Sequence, residues 1–424
     1  MASTHPTPHA TQATQATTVP TTGGTVAPKS RVVAVVGIIA VILIGLNLRA
    51  GITSAAALFH DLQAFLGYGA LVASILPSIP LLCFAVAGLG TSWLSRRIGV
   101  EKSIFVALAM LAAGLLVRSV PATGALLAGT VLAMSGLAVC NVAMPSYIRE
   151  HYASKTSMMT GLYTFTMSGG ATFAAAVSVP LAQQLGSPSM GLAAWGILGV
   201  AALLGFLPMV LHTHRRSRKA SQERVSMWPL LRTRLGFLIT SIFTLQALLA
   251  YAVMSWFAYI LTSQGLSASE SGLQFGLMQL VSVAAGMILL VIGSRPGMMR
   301  PALYLGSGTT LLAIPAMLLL PTSLAAVPAV MFGFGLGIFP LVLVIISRSG
   351  RTTAETTAMS TVAQSVGYLI AALGPFGMGL LHSATGAWTL PLALLAAVAL
   401  ALMVTCHQLT SKRTPIKAGP RPVA

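Results

Sequence analysis

The chain is 424 residues long, 56% hydrophobic and only 7% charged, with a formal net charge of +18. In water that composition would expose more apolar surface than a folded domain can carry, so the soluble classes fall away. A charge of +18 would suggest nucleic acid in a soluble protein. Here the charge follows a membrane pattern, and anionic lipid is the expected partner rather than nucleic acid.

Residues 1–30 are a low-complexity tract of Thr, Ala, Gln, Pro and His without the apolar core of a signal peptide, and read as a disordered tail. Six apolar segments follow, near 31–57, 70–94, 102–120, 123–147, 157–183 and 190–211. Six more lie near 235–262, 269–292, 300–320, 324–347, 354–382 and 387–408. Each approaches or exceeds the about 20 residues that a helix needs to cross hydrocarbon, and none alternates like a barrel strand. Backbone in lipid must satisfy its own hydrogen bonds, so the segments are read as helices. A basic stretch, 212–234, separates 31–211 from 235–408, and a second tail occupies 409–424.

Lys and Arg collect on the tails and on the even-numbered breaks, as in Arg96-Arg97, Arg215-Arg216, Arg295 and Arg348. The odd-numbered breaks carry none apart from Arg118, at the edge of one. That alternation is the positive-inside rule. It predicts a multi-pass protein of the cytoplasmic membrane with both termini in the cytoplasm.

The two halves carry a faint repeat. Arg97-Ile98-Gly99-Val100-Glu101-Lys102 after span two matches Arg295-Pro296-Gly297-Met298-Met299-Arg300 after span eight, both R-x-G-x-x-[K/R]. Gly169 falls on Gly367 at the same spacing. Two parallel six-helix halves resemble the plan of the major facilitator fold, an all-α membrane architecture of twelve transmembrane helices. On that plan Arg97, Gly99, Arg295 and Gly297 are expected to serve gating.

Asn47-Leu48-Arg49-Ala50-Gly51-Ile52-Thr53-Ser54 resembles the first-helix signature of the CynX/NimT (cyanate permease and nitroimidazole transporter) family of the major facilitator superfamily. Asn141-Val142-Ala143-Met144-Pro145, Thr160-Gly161-Leu162-Tyr163-Thr164 and Gln364-Ser365-Val366-Gly367-Tyr368 continue the resemblance, which covers about 31–408. It implies a monomeric secondary transporter for a small solute, without naming the solute. Two positions depart from the family pattern. Ala50 stands where the family usually has Pro, and Arg96 stands where the superfamily's inter-helix motif has Asp, which puts a gate built on that Asp in doubt.

Arg49 is the one full charge that the sequence puts deep inside a span, about eight residues or ~12 Å from the helix end. Intramembrane charges are costly and are functional candidates by default, although snorkelling or a structural pair would also accommodate one. Its planar guanidinium suits carboxylates or linear oxyanions. Asn47 adds a polar group at the same level. Asn141, Tyr163, Gln246, Tyr251, Trp256, Gln279, Gln364 and Tyr368 interrupt other spans and are candidate lining for one midplane pocket; the competing role is interhelical hydrogen bonding.

The six carboxylates, Asp61, Glu101, Glu150, Glu223, Glu270 and Glu355, all fall at helix ends or in loops, so the usual mid-membrane proton carrier is missing. A coupling proton would then travel on the substrate or along helix ends; facilitated movement or anion exchange fits equally. Ser267 to Glu270 and Thr352 to Glu355 read as capping boxes. Gly333-x-Gly335-x-Gly337 reads as close helix packing, and His60, His151 and His382 as solvated span ends. The cysteines and histidines show no metal spacing, no cofactor is implied, and no nucleophile–base pair suggests an enzyme. The expected activity is alternating-access transport of a small anionic or weakly acidic solute, cyanate-like or organic. The alternatives are export of neutral or heterocyclic drug-like compounds, and a non-transporting sensor with the same fold.

Overall fold

The computed structural model describes residues 31–211, 228–350 and 352–411. The expected first tail, most of the 212–234 linker including Glu223, and the chain beyond 411 lie outside the described residues. Among those described, all regular structure is helical. Twelve helices are long and apolar enough to cross a membrane. Spans 1 to 6 are Val35–Ala57, Ala70–Ala87, Val100–Val117, Thr123–His151, Met158–Gln184 and Pro188–Leu211. Spans 7 to 12 are Arg234–Ser263, Ala268–Ser294, Met299–Leu319, Ala326–Ser347, Glu355–Thr385 and Thr389–Thr410. Every expected segment has its helix.

Helix starts follow local chemistry. Ser267 caps span 8 in a full capping box with Glu270, satisfying two backbone donors that the first turn would leave unpaired. Thr352 accepts from the Glu355 amide at the start of span 11, and Thr233 from Gly236 at the start of span 7.

The internal repeat is more regular in the backbone than in the sequence. Among the described residues the positive-φ positions are Gly67 and Gly265, Gly99 and Gly297, and Gly186 and Gly386. They form three pairs, 198, 198 and 200 residues apart. Each pair sits at the corresponding turn of the two halves, where the left-handed backbone favours glycine over any residue with a Cβ. One end of the bundle carries the Arg97 and Arg295 turns and both ends of the described chain. We call it the basic end and the opposite one the far end.

Small residues let the helices approach. A Cβ on Gly333 would lie 2.5 Å from the Met278 carbonyl, and one on Gly335 would lie 2.7 Å from the Thr310 amide. Span 10 therefore presses its backbone onto spans 8 and 9, and the glycine run is a packing surface as expected. Three spans are interrupted. Span 2 passes through a 3-10 turn at Leu76–Ser78, span 10 breaks between Leu336 and Phe339, and span 11 breaks between Ala371 and Leu373. Pro77, Pro340 and Pro375 lie at or just beyond these breaks, where the missing amide ends the local ladder.

Gly297 has φ +75° and open space around its Cβ position, whereas the helical Gly308 also has open space but no such φ. Gly297→Ala should cost about 1–2 kcal/mol of stability through backbone strain alone, and Gly308→Ala should be neutral or stabilising. Thermal unfolding of the two variants in one detergent checks the contrast.

Candidate functional site

The site begins with Arg49 on span 1. Its side chain is half-buried. Among the described residues it has no hydrogen-bond or ion-pair partner; the one ion pair there joins His151 to Glu101, 3.1 Å apart at the basic end. The charge of Arg49 acts on three phenols, Tyr163 of span 5, Tyr251 of span 7 and Tyr368 of span 11. The Tyr163 hydroxyl is buried with no acceptor. Tyr368 packs against Phe84 of span 2, Phe243 and Tyr251 at ring-centre distances of 5.3, 5.0 and 6.2 Å. Tyrosines of three spans, drawn from both halves, thus lie within electrostatic range of one cation, and Phe84 of a fourth span packs on two of them. Asn141 of span 4 is half-buried, and no contact among the described residues joins it to this group.

Other expected lining residues are engaged elsewhere. Asn47 donates to the Leu43 carbonyl at 2.8 Å and the Leu198 carbonyl at 2.9 Å, tying span 1 to span 6. Two positions along a helix are about 200° apart, so a residue beside Arg49 in sequence faces another neighbour. Gln246 donates to Leu336, 3.3 Å away, inside the second half, and its amide oxygen has no donor. Gln364 donates to Ser360 on its own helix. Gln279 is buried on span 8, with no side-chain hydrogen bond among the described residues. Trp256 belongs to a different layer, nearer the far end.

That layer is a plug. Trp256 donates to the Pro375 carbonyl at 2.9 Å, and Ser78, in the break of span 2, donates to Ala372, in the break of span 11, at 2.8 Å. The breaks of the two halves meet, and each supplies a polar group that a continuous helix would keep to itself. A Cβ on Gly379 would lie 2.6 Å from both Ser74 and Trp256, so this seam admits glycine alone. Phe59 and Trp388 pack on Trp256 at 6.4 and 5.5 Å. His382 stacks on Trp388 at 3.9 Å, His60 faces Tyr259 at 5.2 Å, and at the other end His151 stacks on Tyr147 at 4.3 Å. His60 is exposed, as a solvated span end should be, whereas ring faces partly cover His151 and His382. Beside His60, burial pushes the Asp61 carboxyl up, and the His60 charge opposes that shift.

Spans 5 and 8 close the second seam at the same end, with Gly272 against Ala175 and Gly276 against Ala176. The crossing contacts described here run from the Phe84–Tyr368 level to the far end. Solvent that reaches Arg49 therefore arrives from the basic end. The four expected gating residues lie there, at the turns: Arg97 stacks over Trp93 at 4.4 Å, and Arg295 follows span 8 in extended backbone.

Sequence reasoning missed two residues. Phe84 left no signal, since any aromatic suits a span. Arg118 is fully buried, with 1% of its surface exposed, so Arg49 is not the one deep cation. The signal was present: Arg118 alone broke the alternation of charge.

A twelve-span bundle, closed across one end and reaching solvent from the other around a central cation, defines a membrane transport protein. The chain belongs to the Major Facilitator Superfamily, which residues 37–375 match. It is similar to the 2-nitroimidazole transporter of Escherichia coli (strain K12), at 31% identity over 86% of this chain and 92% of that one. The cyanate transport protein CynX of the same organism is 27% identical over 89% and 98%. An uncharacterized transporter of Bacillus subtilis (strain 168), YycB, is 32% identical over 84% and 89%. Among solved structures, the nucleoside transporter NupG superposes with a TM-score of 0.73 at 12% identity, covering 88% of this chain and all of that one. The D-xylose-proton symporter gives 0.65 at 13%, covering 90% and 98%. These two carry the fold alone.

Gly379→Ala should wedge the far-end seam apart. A cysteine at position 78 should then label several-fold faster with an impermeant thiol reagent applied from the far side than it does in the Gly379 parent.

Proposed function

We propose that the protein is a secondary transporter that binds a small anionic or weakly acidic solute at Arg49 and carries it by alternating access. The observation that carries this reading is the guanidinium itself: half-buried, within electrostatic range of three phenols, and without a carboxylate partner among the described residues. A cation in that setting is stabilised most by a counter-charge that arrives with the substrate. Paired charge-assisted hydrogen bonds from the guanidinium would orient a carboxylate or linear oxyanion, and the Tyr163 hydroxyl is a further donor beside it. Cyanate, named in one relative, belongs to this chemical class.

The state described, closed from the midplane to the far end, is the inward-facing one if the basic end is cytoplasmic, the orientation that the distribution of Lys and Arg supports. The exchange to an outward-facing state would part the span 2–span 11 and span 5–span 8 seams and bring the basic ends together. Cysteines at Gly67 or Ser187 should then label only from outside the cell; labelling from inside would reverse the orientation.

A second reading takes a flat neutral heterocycle as the substrate, as the name of another relative suggests. The rings of Phe84, Tyr251 and Tyr368 favour it, because they offer aromatic faces and edges to a planar ligand. Uptake of labelled cyanate, small carboxylates and nitroimidazoles into proteoliposomes separates the two. Under the anion reading Arg49→Gln raises KM for the transported anion by about 10- to 100-fold, the value of a charged hydrogen bond of about 1.5–3 kcal/mol. Arg49→Lys should fall between, keeping the charge and losing the fork. An unchanged KM in Arg49→Gln, in protein that unfolds at the parent temperature, removes the anion site.

A further inference from the structure

Arg118 follows the last turn of span 3, and its side chain turns back into the bundle. Nη1 donates to the Gly51 carbonyl of span 1 at 3.1 Å. Nε and Nη2 have no acceptor, although both are buried. The room for this side chain is built in: a Cβ on Gly129 would lie 2.8 Å from Arg118 Cγ, so span 4 carries glycine where the stem passes. The guanidinium borders a small cavity between spans 1, 2, 4 and 7, walled by Phe59, Leu76, Pro77 and Met134. Thr130 and Ser255 contribute its hydroxyls. Thr130 spends its proton on the Leu126 carbonyl, whereas Ser255 has no partner among the described residues.

The cavity has room for about one water-sized particle, far too little for an organic solute. No carboxylate among the described residues pairs with Arg118. A water molecule would accept one or two of the free N–H bonds and leave the charge unopposed in a medium of low dielectric. A monovalent anion of similar size would do both, because it accepts hydrogen bonds and supplies the opposite charge at contact distance.

We propose that this cavity is a second anion site, distinct from the one at Arg49, which holds a single halide-sized monovalent anion between Arg118 and Ser255 while the far end is closed. The proposal does not rest on the substrate reading, since its ligand is smaller and its residues are different. Opening of the far end, which moves Ser255 away with Trp256 while Phe59 stays with Arg118 in the first half, would expose the site and release the ion. Binding there therefore favours the closed-far-end state, and a halide would act as a conformational ligand.

Bromide is the probe, with gluconate holding ionic strength constant. Protein in nanodiscs should gain a saturable rise of a few degrees in Tm, and the gain should persist in Arg49→Gln and vanish in Arg118→Gln. Ser255→Val, which fills the cavity without touching the guanidinium, should weaken it at least tenfold in bromide affinity. Crystals of unaltered protein grown in bromide should show an anomalous peak in contact with Arg118 Nη2, a readout that survives if Arg118→Gln fails to fold. Loss of the bromide effect in Arg49→Gln together with its survival in Arg118→Gln overturns the proposal. So does a bromide-saturated crystal with no peak at Arg118.

Discussion

A positive charge within a membrane span, paired with no negative side chain among the described residues, constrains everything else in this molecule. Desolvating a guanidinium costs several kcal/mol unless hydrogen bonds and an opposite charge replace the water. Soluble proteins meet that demand with an ion pair. Here the described carboxylates lie at the ends of the spans, and the ion pair among them, Glu101 with His151, sits at the basic end. Arg49 is half-buried instead. Its charge falls on Tyr163, Tyr251 and Tyr368, whose phenols are polarisable and neutral.

The second constraint is that backbone in lipid has no water to turn to. A helix can break only where another part of the protein takes over the freed polar groups. Spans 2 and 11 break at the same level and face each other, so that Ser78 bonds to Ala372, and Trp256 reaches the Pro375 carbonyl from span 7. The seam that shuts the far end is thus assembled from the places where the helices are least regular. Gly379 lets the two halves touch there with no side chain between them. The seam combines these hydrogen bonds with ring packing of Phe59 on Trp256 and of Phe84 on Tyr368. The glycine-lined contact of span 10 with spans 8 and 9 is continuous backbone packing within one half, which suits a body that moves as a unit.

Much of the architecture was legible in the chain. Apolar runs of membrane length placed the twelve helices, and the alternation of Lys and Arg ordered their ends. The repeated R-x-G turn pointed to two related halves; the backbone adds the Gly67–Gly265 and Gly186–Gly386 pairs, which no shared side chains had marked. The capping of span 8 by Ser267 and Glu270 was readable because its parts are three residues apart. At the site, Arg49 and three of the tyrosines were found from their intrusion into apolar runs. Asn47, Gln246 and Trp256 intruded in the same way, yet each hydrogen-bonds a packing partner.

Hydrophobicity and charge are properties of a residue and its near neighbours, so the sequence by itself determined the membrane class, the spans and the alternation of their ends. Which face of a helix meets the cleft depends on neighbours about a hundred or more residues away, and that was decided by tertiary structure alone. Asn47 and Arg49 differ by two positions and point to different spans. Arg118, at the edge of a break in the sequence, is in space one of the most deeply buried side chains described, because Gly129 and Gly51 on other helices make room for it and receive it.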